Sequence, residues 1–215
     1  MKGLFLAITL LLSLCFHYSS EAQNLWAHTG ISMAAYKGDL SSYDQYRGLF
    51  QVGVQLNKKK RLNGNFNLGI GSVSGENRDF RRFETGDIEP NRYFRTNFFF
   101  LNYDLHYNIV KTDFLIVYVS QGIGFFRFTP KDDEGNSLID QGNTRNPDES
   151  YRNSTFMLPT SAGATYFLPN KYGIGLQAGF LNPLTDYLDN ISELGETGGD
   201  NILEFRFSLY VPIKN

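Results

Sequence analysis

The sequence predicts an all-β fold, an eight-stranded antiparallel up-and-down transmembrane β-barrel with short periplasmic turns and long outer loops. Three observations carry this reading. Eight segments alternate apolar and polar residues with period two, the connections between them alternate long and short, and no segment after the N-terminus is apolar over the roughly 18 residues that a membrane-spanning helix needs.

The first residues, MKGLFLAITLLLSLCF followed by HYSSEAQN, read as a secretory signal that ends at Ala22, with Ser20 and Ala22 meeting the small-residue cleavage rule. The barrel domain is then expected over 23–215. Cys15 is the single cysteine, and Leu14 before it does not suit a lipid-anchor motif. Cleavage after Ala22 removes it, which excludes disulfides and thiolate metal sites from the exported chain.

The strands follow in order. A weaker first strand is expected over Trp26 to Tyr36. Phe50, Val52, Val54 and Leu56 mark the second, and Phe66, Leu68 and Ile70 the third. The fourth has the clearest period, with Phe99, Leu101, Tyr103, Leu105, Tyr107 and Ile109 alternating against Phe100, Asn102, Asp104, His106 and Asn108. Leu115 to Phe125, Phe156 to Leu168, Ile174 to Phe180 and Leu203 to Ile213 complete the set. An even number of strands can close without an exposed edge. Pro159 falls inside the sixth, where it costs a ladder hydrogen bond, so a bulge or a strand end is expected there.

Long connections are expected at about 37–47, 75–94, 129–153 and 183–201, whereas NKKKRLNG, VKTD and PNKY are short. That alternation is the loop pattern of outer-membrane barrels. Period alone leaves open which face meets solvent. The polar face, however, carries Gly53, Gly69, Gly71, Gly122, Gly124, Gly163, Gly175 and Gly179, which suit a narrow filled lumen, while the apolar face is bulky and aromatic. A soluble periplasmic barrel binding an apolar ligand would need the opposite orientation.

The formal net charge of −2, with both signs mixed along the chain, argues against nucleic acid as a partner. His28 and His106 are too far apart in sequence to make a metal motif, and DDEGNS at Asp132, Asp133 and Glu134 lacks EF-hand spacing, so no metal and no cofactor are expected. Asp104 and His106 share the polar face of the fourth strand, and a hairpin through VKTD could bring Ser120 beside Asp104, the ingredients of an envelope-lipid hydrolase. The simpler reading is a hydrogen-bonded lumen network in which Glu204 and Arg206 supply a charge pair. The basic turn Lys58, Lys59, Lys60 and Arg61 would lie on the periplasmic rim, facing headgroups or an acidic partner.

Several segments resemble a known family. AAYKGDL, FFRFTP, TFMLPTSAGATYFLPNKYGIGLQAGF and above all TDYLDNIS are similar to the PorG-like small outer-membrane barrels of type IX secretion systems, with Asn190 standing where that family tends to have a second acidic residue. The resemblance covers most of the chain after Ala22 and is strongest from about Ser120 to Ser192. It implies a non-enzymatic structural or docking component of the outer membrane, in contact with its lipid and with periplasmic ring lipoproteins of a secretion apparatus. Within TDYLDNIS, Thr185 or Asp186 is expected to cap a short helical turn, with Tyr187 and Leu188 over the barrel mouth and Asp189 beside them. Asp186, Tyr187, Leu188 and Asp189 are therefore candidates for a lid or partner-binding loop.

Overall fold

The computed structural model describes residues 24–57, 61–79, 91–141, 151–191 and 199–213. The expected signal segment and Lys58, Lys59 and Lys60 lie outside these residues. The strand segments are β1 (Asn24–Gly38), β2 (Ser41–Asn57), β3 (Leu62–Glu76), β4 (Tyr93–Lys111), β5 (Leu115–Lys131), β6 (Ser154–Met157), β7 (Thr160–Phe167), β8 (Gly173–Phe180) and β9 (Asn201–Ile213). Adjacent strands pair antiparallel, β5 pairs with both β6 and β7, and the β1–β9 ladder closes the ring. β6 and β7 are two halves of one expected strand, so the barrel is eight strands around.

The break falls at Leu158 and Pro159. Gly124 faces Met157 before it and Gln121 faces Thr160 after it, so the register is the same on both sides. Pro159 therefore interrupts the ladder without a bulge. Its carbonyl still accepts from Gly122 N at 2.8 Å. The donor that proline lacks is supplied from the neighbouring strand: the Gln121 side-chain amide donates to the Gly122 carbonyl at 3.2 Å and to the Pro159 carbonyl at 3.1 Å, and Thr160 Oγ1 donates to Gln121 Oε1 at 2.8 Å.

Side chains alternate along the strands as period two demands. On β4, Asn102, Asp104, His106 and Asn108 are buried, while Phe99, Leu101, Tyr103, Leu105 and Tyr107 are exposed. The same division runs round the barrel, and outward residues such as Ile31, 66% exposed, and Leu176, 65%, form a continuous apolar belt. A contiguous apolar girdle of this size is unfavourable in water and is the surface that hydrocarbon requires. The bulky face points outward, the opposite of the orientation that the soluble ligand-binding alternative needs.

The interior has three layers. At the long-loop end, Tyr36, Phe94, Phe100, Phe126, Leu188 and Ile191 belong to one apolar cluster. At the short-turn end, Trp26, Ile116, Tyr118, Phe167 and Tyr210 form another, with the tilted rings of Trp26 and Phe167 4.7 Å apart. Polar side chains fill the space between. Glycine makes that filling possible at Gly122, where a Cβ would collide with the Asp104 carboxylate.

One loop differs from expectation. The first long connection, about 37–47, is a two-residue turn at Asp39 and Leu40 between extended strands. The ladder continues beyond the bilayer because β2 keeps pairing with β1 through Lys37↔Ser42 and Gly38↔Ser41, after a register shift between Ala35 and Lys37. On its other side β2 pairs with β3 only from Leu49↔Gly71 to Gln55↔Asn65, and the two strands part beyond Gly48. Arg47 Nε spans the gap to Ser74 Oγ at 2.9 Å, and Ser74 Oγ donates to Gln45 Oε1 at 2.7 Å.

Candidate functional site

The middle layer is a connected polar network. Glu204 on β9 accepts from Ser32 Oγ on β1 at 2.5 Å and from the Gln51 amide on β2. Arg206, two residues on, donates to the Gln51 and Gln177 side-chain carbonyls, and Tyr118 Oη donates to Gln177 Oε1 at 2.8 Å. The expected Glu204–Arg206 pair is thus not a direct ion pair. Gln51 sits between the two charges, accepting from one and donating to the other, because residues two apart on a strand point the same way and leave room for a third side chain. A second chain runs from His28 Nε2, 2.8 Å from Asn65 Oδ1, through Asn65 Nδ2 to Asn67 Oδ1 at 3.0 Å and Asn67 Nδ2 to Asp104 Oδ2 at 2.9 Å. The space left over beside Asn67, Asn102, Asp104, Glu204 and Arg206 is a cavity of about 10 Å³, room for about one water.

The structure brings Ser120 and His106 opposite each other but does not link the three groups of the hydrolase alternative by hydrogen bonds. Ser120 faces His106 across the β4–β5 ladder, and Asp104 faces Gly122, so Ser120 does not lie beside Asp104. A register shift between Asn108 and Val110 in the hairpin sets this pairing. Asp104 is held by Asn67 and by Asn102 Nδ2 at 2.5 Å. His106 stacks on Tyr118 at 4.2 Å, with its Nδ1 3.5 Å from Gln55 Nε2, and Ser120 Oγ is 2.5 Å from Ser161 Oγ. A nucleophile needs its base in hydrogen-bond contact, and here the serine is paired with another serine.

The long-loop end carries a second arrangement. Tyr187, Leu188, Asp189, Asn190 and Ile191 are all buried in the barrel mouth, and Asp186 is partly exposed at its edge. No helix forms over the loop, but the expected cap and a single turn are present: Tyr187 N donates to Thr185 Oγ1 at 3.3 Å, Asn190 N donates to the Tyr187 carbonyl at 3.3 Å, and Asn190 takes a left-handed backbone, φ 68°. The loop is pinned through its main chain. Thr96 Oγ1 donates to the Leu188 carbonyl, Asn91 Nδ2 to the Asp189 carbonyl at 2.9 Å, and Asn190 Nδ2 to the Gln141 carbonyl at 3.0 Å.

Beneath it, Tyr36 Oη lies 2.8 Å from Asp189 Oδ2 and 2.5 Å from Asp200 Oδ1. The outer oxygens of the two carboxyls accept from Ile191 N at 2.9 Å and Leu188 N at 2.7 Å. A phenol carries one proton, so both contacts to Tyr36 become hydrogen bonds only when one of the two carboxyls keeps its own proton. Burial raises both carboxyls well above the usual carboxylate range, and the charge of Asp39 adds to the effect on Asp189, that of Asp189 to the effect on Asp200. Gly38 is required here, since a Cβ would meet both Tyr36 Oη and Asp200.

Arg61 is exposed on the short-turn rim, its carbonyl accepting from Asn108 N at 2.8 Å. Asp132 closes a local turn, accepting from Asn136 N at 2.7 Å with Gly135 at φ 87°. Among the described residues no group of three or more His, Cys, Asp or Glu side chains is placed to hold a metal. Asp200, Tyr36, Asn91 and Thr96 carried no sequence signal.

The fold and its apolar girdle define a small bilayer-spanning β-barrel with a filled lumen. No family model matches the chain, and no curated protein matches it significantly. Among solved structures it is similar to Ail, the attachment invasion locus protein of Yersinia pestis, with 12% identity and a TM-score of 0.52 over 89% of this chain and 99% of that one. A structure of Ail in complex with the heparin analogue sucrose octasulfate gives 13% and 0.51, again over 89% and 99%. Neisserial surface protein A gives 10% and 0.51 over 88% and 97%. All are small outer-membrane eight-stranded barrels, and what the chain shares with them is the fold.

Proposed function

We propose that the chain is a non-enzymatic barrel of the outer membrane that acts as a structural or docking component of the envelope. The observation that carries this reading is the pairing of a lipid-facing apolar belt with an interior closed at both ends. Such a barrel can anchor and present rims, and among the described residues its filled interior supports a role without a conduit. Fractionation and gels test it: the protein is expected in the outer membrane and to migrate differently before and after boiling. Recovery in the soluble fraction with unchanged migration overturns it. Hydrolysis of envelope lipid by purified protein, lost in Ser120→Ala, would replace it with the enzymatic reading.

The resemblance of TDYLDNIS to the PorG-like barrels supports a finer role, a contact with periplasmic ring lipoproteins of a type IX secretion apparatus. Arg61 and the lysines before it would face that partner. Crosslinking from position 61 in intact cells is expected to capture a lipoprotein, and loss of cargo secretion on deletion would extend contact to role. Capture of none, with secretion intact, removes the finer reading and leaves the first.

A further inference from the structure

Above the apolar belt the outward faces of β4 and β5 change character. Phe125 stands opposite Leu101 on one side and Phe156 on the other, and Phe99 lies 6.3 Å from Phe125. Toward the long-loop end the next outward positions are Arg127 opposite Phe99, Thr129 opposite Asn97, and Lys131 opposite Arg95. Arg95 and Arg127 are exposed and Lys131 is partly so. Directly opposed side chains on an antiparallel pair have Cβ atoms about 5 Å apart, where like charges repel. Among the described residues none of the three cations has a carboxylate partner, and the ion pair that does form, Arg78 to Glu76, lies on other residues.

A second feature adjoins this cluster. Where β2 and β3 part, a groove of about 610 Å³ opens on the outside of the wall, with Arg95 and Asn97 at one side and Phe50, Ile70, Gly48 and Gly71 along it. Its size lies in the range of small-ligand clefts. Ile70 pairs with Phe99, four residues from Arg95, so Arg95 and Lys131 stand roughly 13 Å along the strand from the lipid-facing rings, while Arg127 lies level with Phe99. An anion centre that close to an apolar trough, on a surface that faces hydrocarbon, matches one chemistry: a phosphate joined to an acyl chain.

We propose that this surface binds a phosphorylated acyl lipid of the leaflet at the long-loop end. Arg95, Lys131 and Arg127 hold the headgroup phosphate, and an acyl chain lies in the groove over Gly48 and Gly71. The site rests on the membrane placement put forward under the proposed function. The bound phosphate also resolves the repulsion between Arg95 and Lys131, which otherwise opposes the β4–β5 pairing at its end.

The full chain in nanodiscs of phosphatidylcholine doped with phosphatidic acid tests this, with native mass spectrometry reading the retained lipids. Preferential retention of phosphatidic acid is expected, weakened roughly fivefold for each cation removed in Arg95→Gln and Lys131→Gln. Gly48→Leu fills the groove from a position where an added Cβ meets nothing within 4 Å, so the barrel keeps its own packing. It should weaken retention of phosphatidic acid while leaving binding of free glycerol phosphate unchanged. Equal retention of the two lipids, or a preference that survives Arg95→Gln with Lys131→Gln, overturns the site. Glycerol phosphate binding as tightly as phosphatidic acid overturns it as a lipid site. A chain that will not insert overturns the membrane reading as well, whereas one that inserts without preference overturns the lipid site alone.

Discussion

The side-chain amide of Gln121 occupies the donor position that Pro159 leaves empty, 3.2 Å from the Gly122 carbonyl. A polar side chain on the lipid face of β5 thereby has a structural reason, since a carbonyl without a donor is costly in hydrocarbon. Gln121→Leu is expected to destabilise the barrel by about 1–3 kcal/mol, the cost of one buried unsatisfied group. In a Pro159→Ala background, where the backbone donor returns, the same change should cost much less. Urea unfolding from lipid vesicles, run as a double-mutant cycle, measures the coupling.

The contact between Tyr36 and the two carboxyls makes the mouth loop sensitive to pH. Both Asp189 and Asp200 have their proton affinity raised by burial, so the folded mouth binds more protons than an open one and its stability falls as pH rises. The contribution is complete below the ordinary carboxylate value of 3.8 and is lost as pH climbs through the raised values. Protection of the Leu188 and Ile191 amides against hydrogen exchange, corrected for intrinsic rate, should therefore be greatest in acid and weakest in alkali. Asp200→Asn keeps a donor toward Tyr36 and an acceptor for Leu188, and should flatten the dependence.

Arg206 and Glu204 are balanced through Gln51. Arg206→Met strands a buried carboxylate and is expected to cost about 3–5 kcal/mol, while Glu204→Leu combined with Arg206→Met should recover much of the loss. Folding yield and unfolding free energy in vesicles read both.

Planar-bilayer recordings should show no ion current above baseline. The aromatic cluster of Trp26, Phe167 and Tyr210 closes the short-turn end independently of the mouth loop. Removing 185–199 should therefore still leave the barrel closed, and a steady current from either form would contradict the layered interior.

The strands were legible because period two is written locally: Phe99 to Tyr107 identify their face without reference to the rest of the chain. The apolar-out orientation was readable from glycine on the opposite face, since Gly122 faces Asp104 in a lumen too narrow for two side chains. Length of connection was less reliable. Ser41 to Arg47 reads as a polar loop but pairs with β1, because polar residues in a strand above the bilayer carry no apolar signal. The mouth was illegible for another reason. Tyr36 and Asp200 are 164 residues apart, and only closure of the ring brings β1 and the segment before β9 together. Ser120 fell beside His106 because the β4–β5 ladder runs two residues away from the register that would oppose Ser120 to Asp104, a detail set by hairpin geometry.

The last strand has a bearing on how the molecule is made. Glu204 and Arg206 sit on β9, which closes the ring against β1, and their partners Ser32 and Gln51 sit on β1 and β2. An unsealed sheet would present two uncompensated charges near hydrocarbon. Sealing the seam between β1 and β9 supplies their hydrogen-bond partners, so an open sheet is penalised until β1 and β9 pair. The cost that makes an open sheet unfavourable is the same cost that disappears when the ring closes.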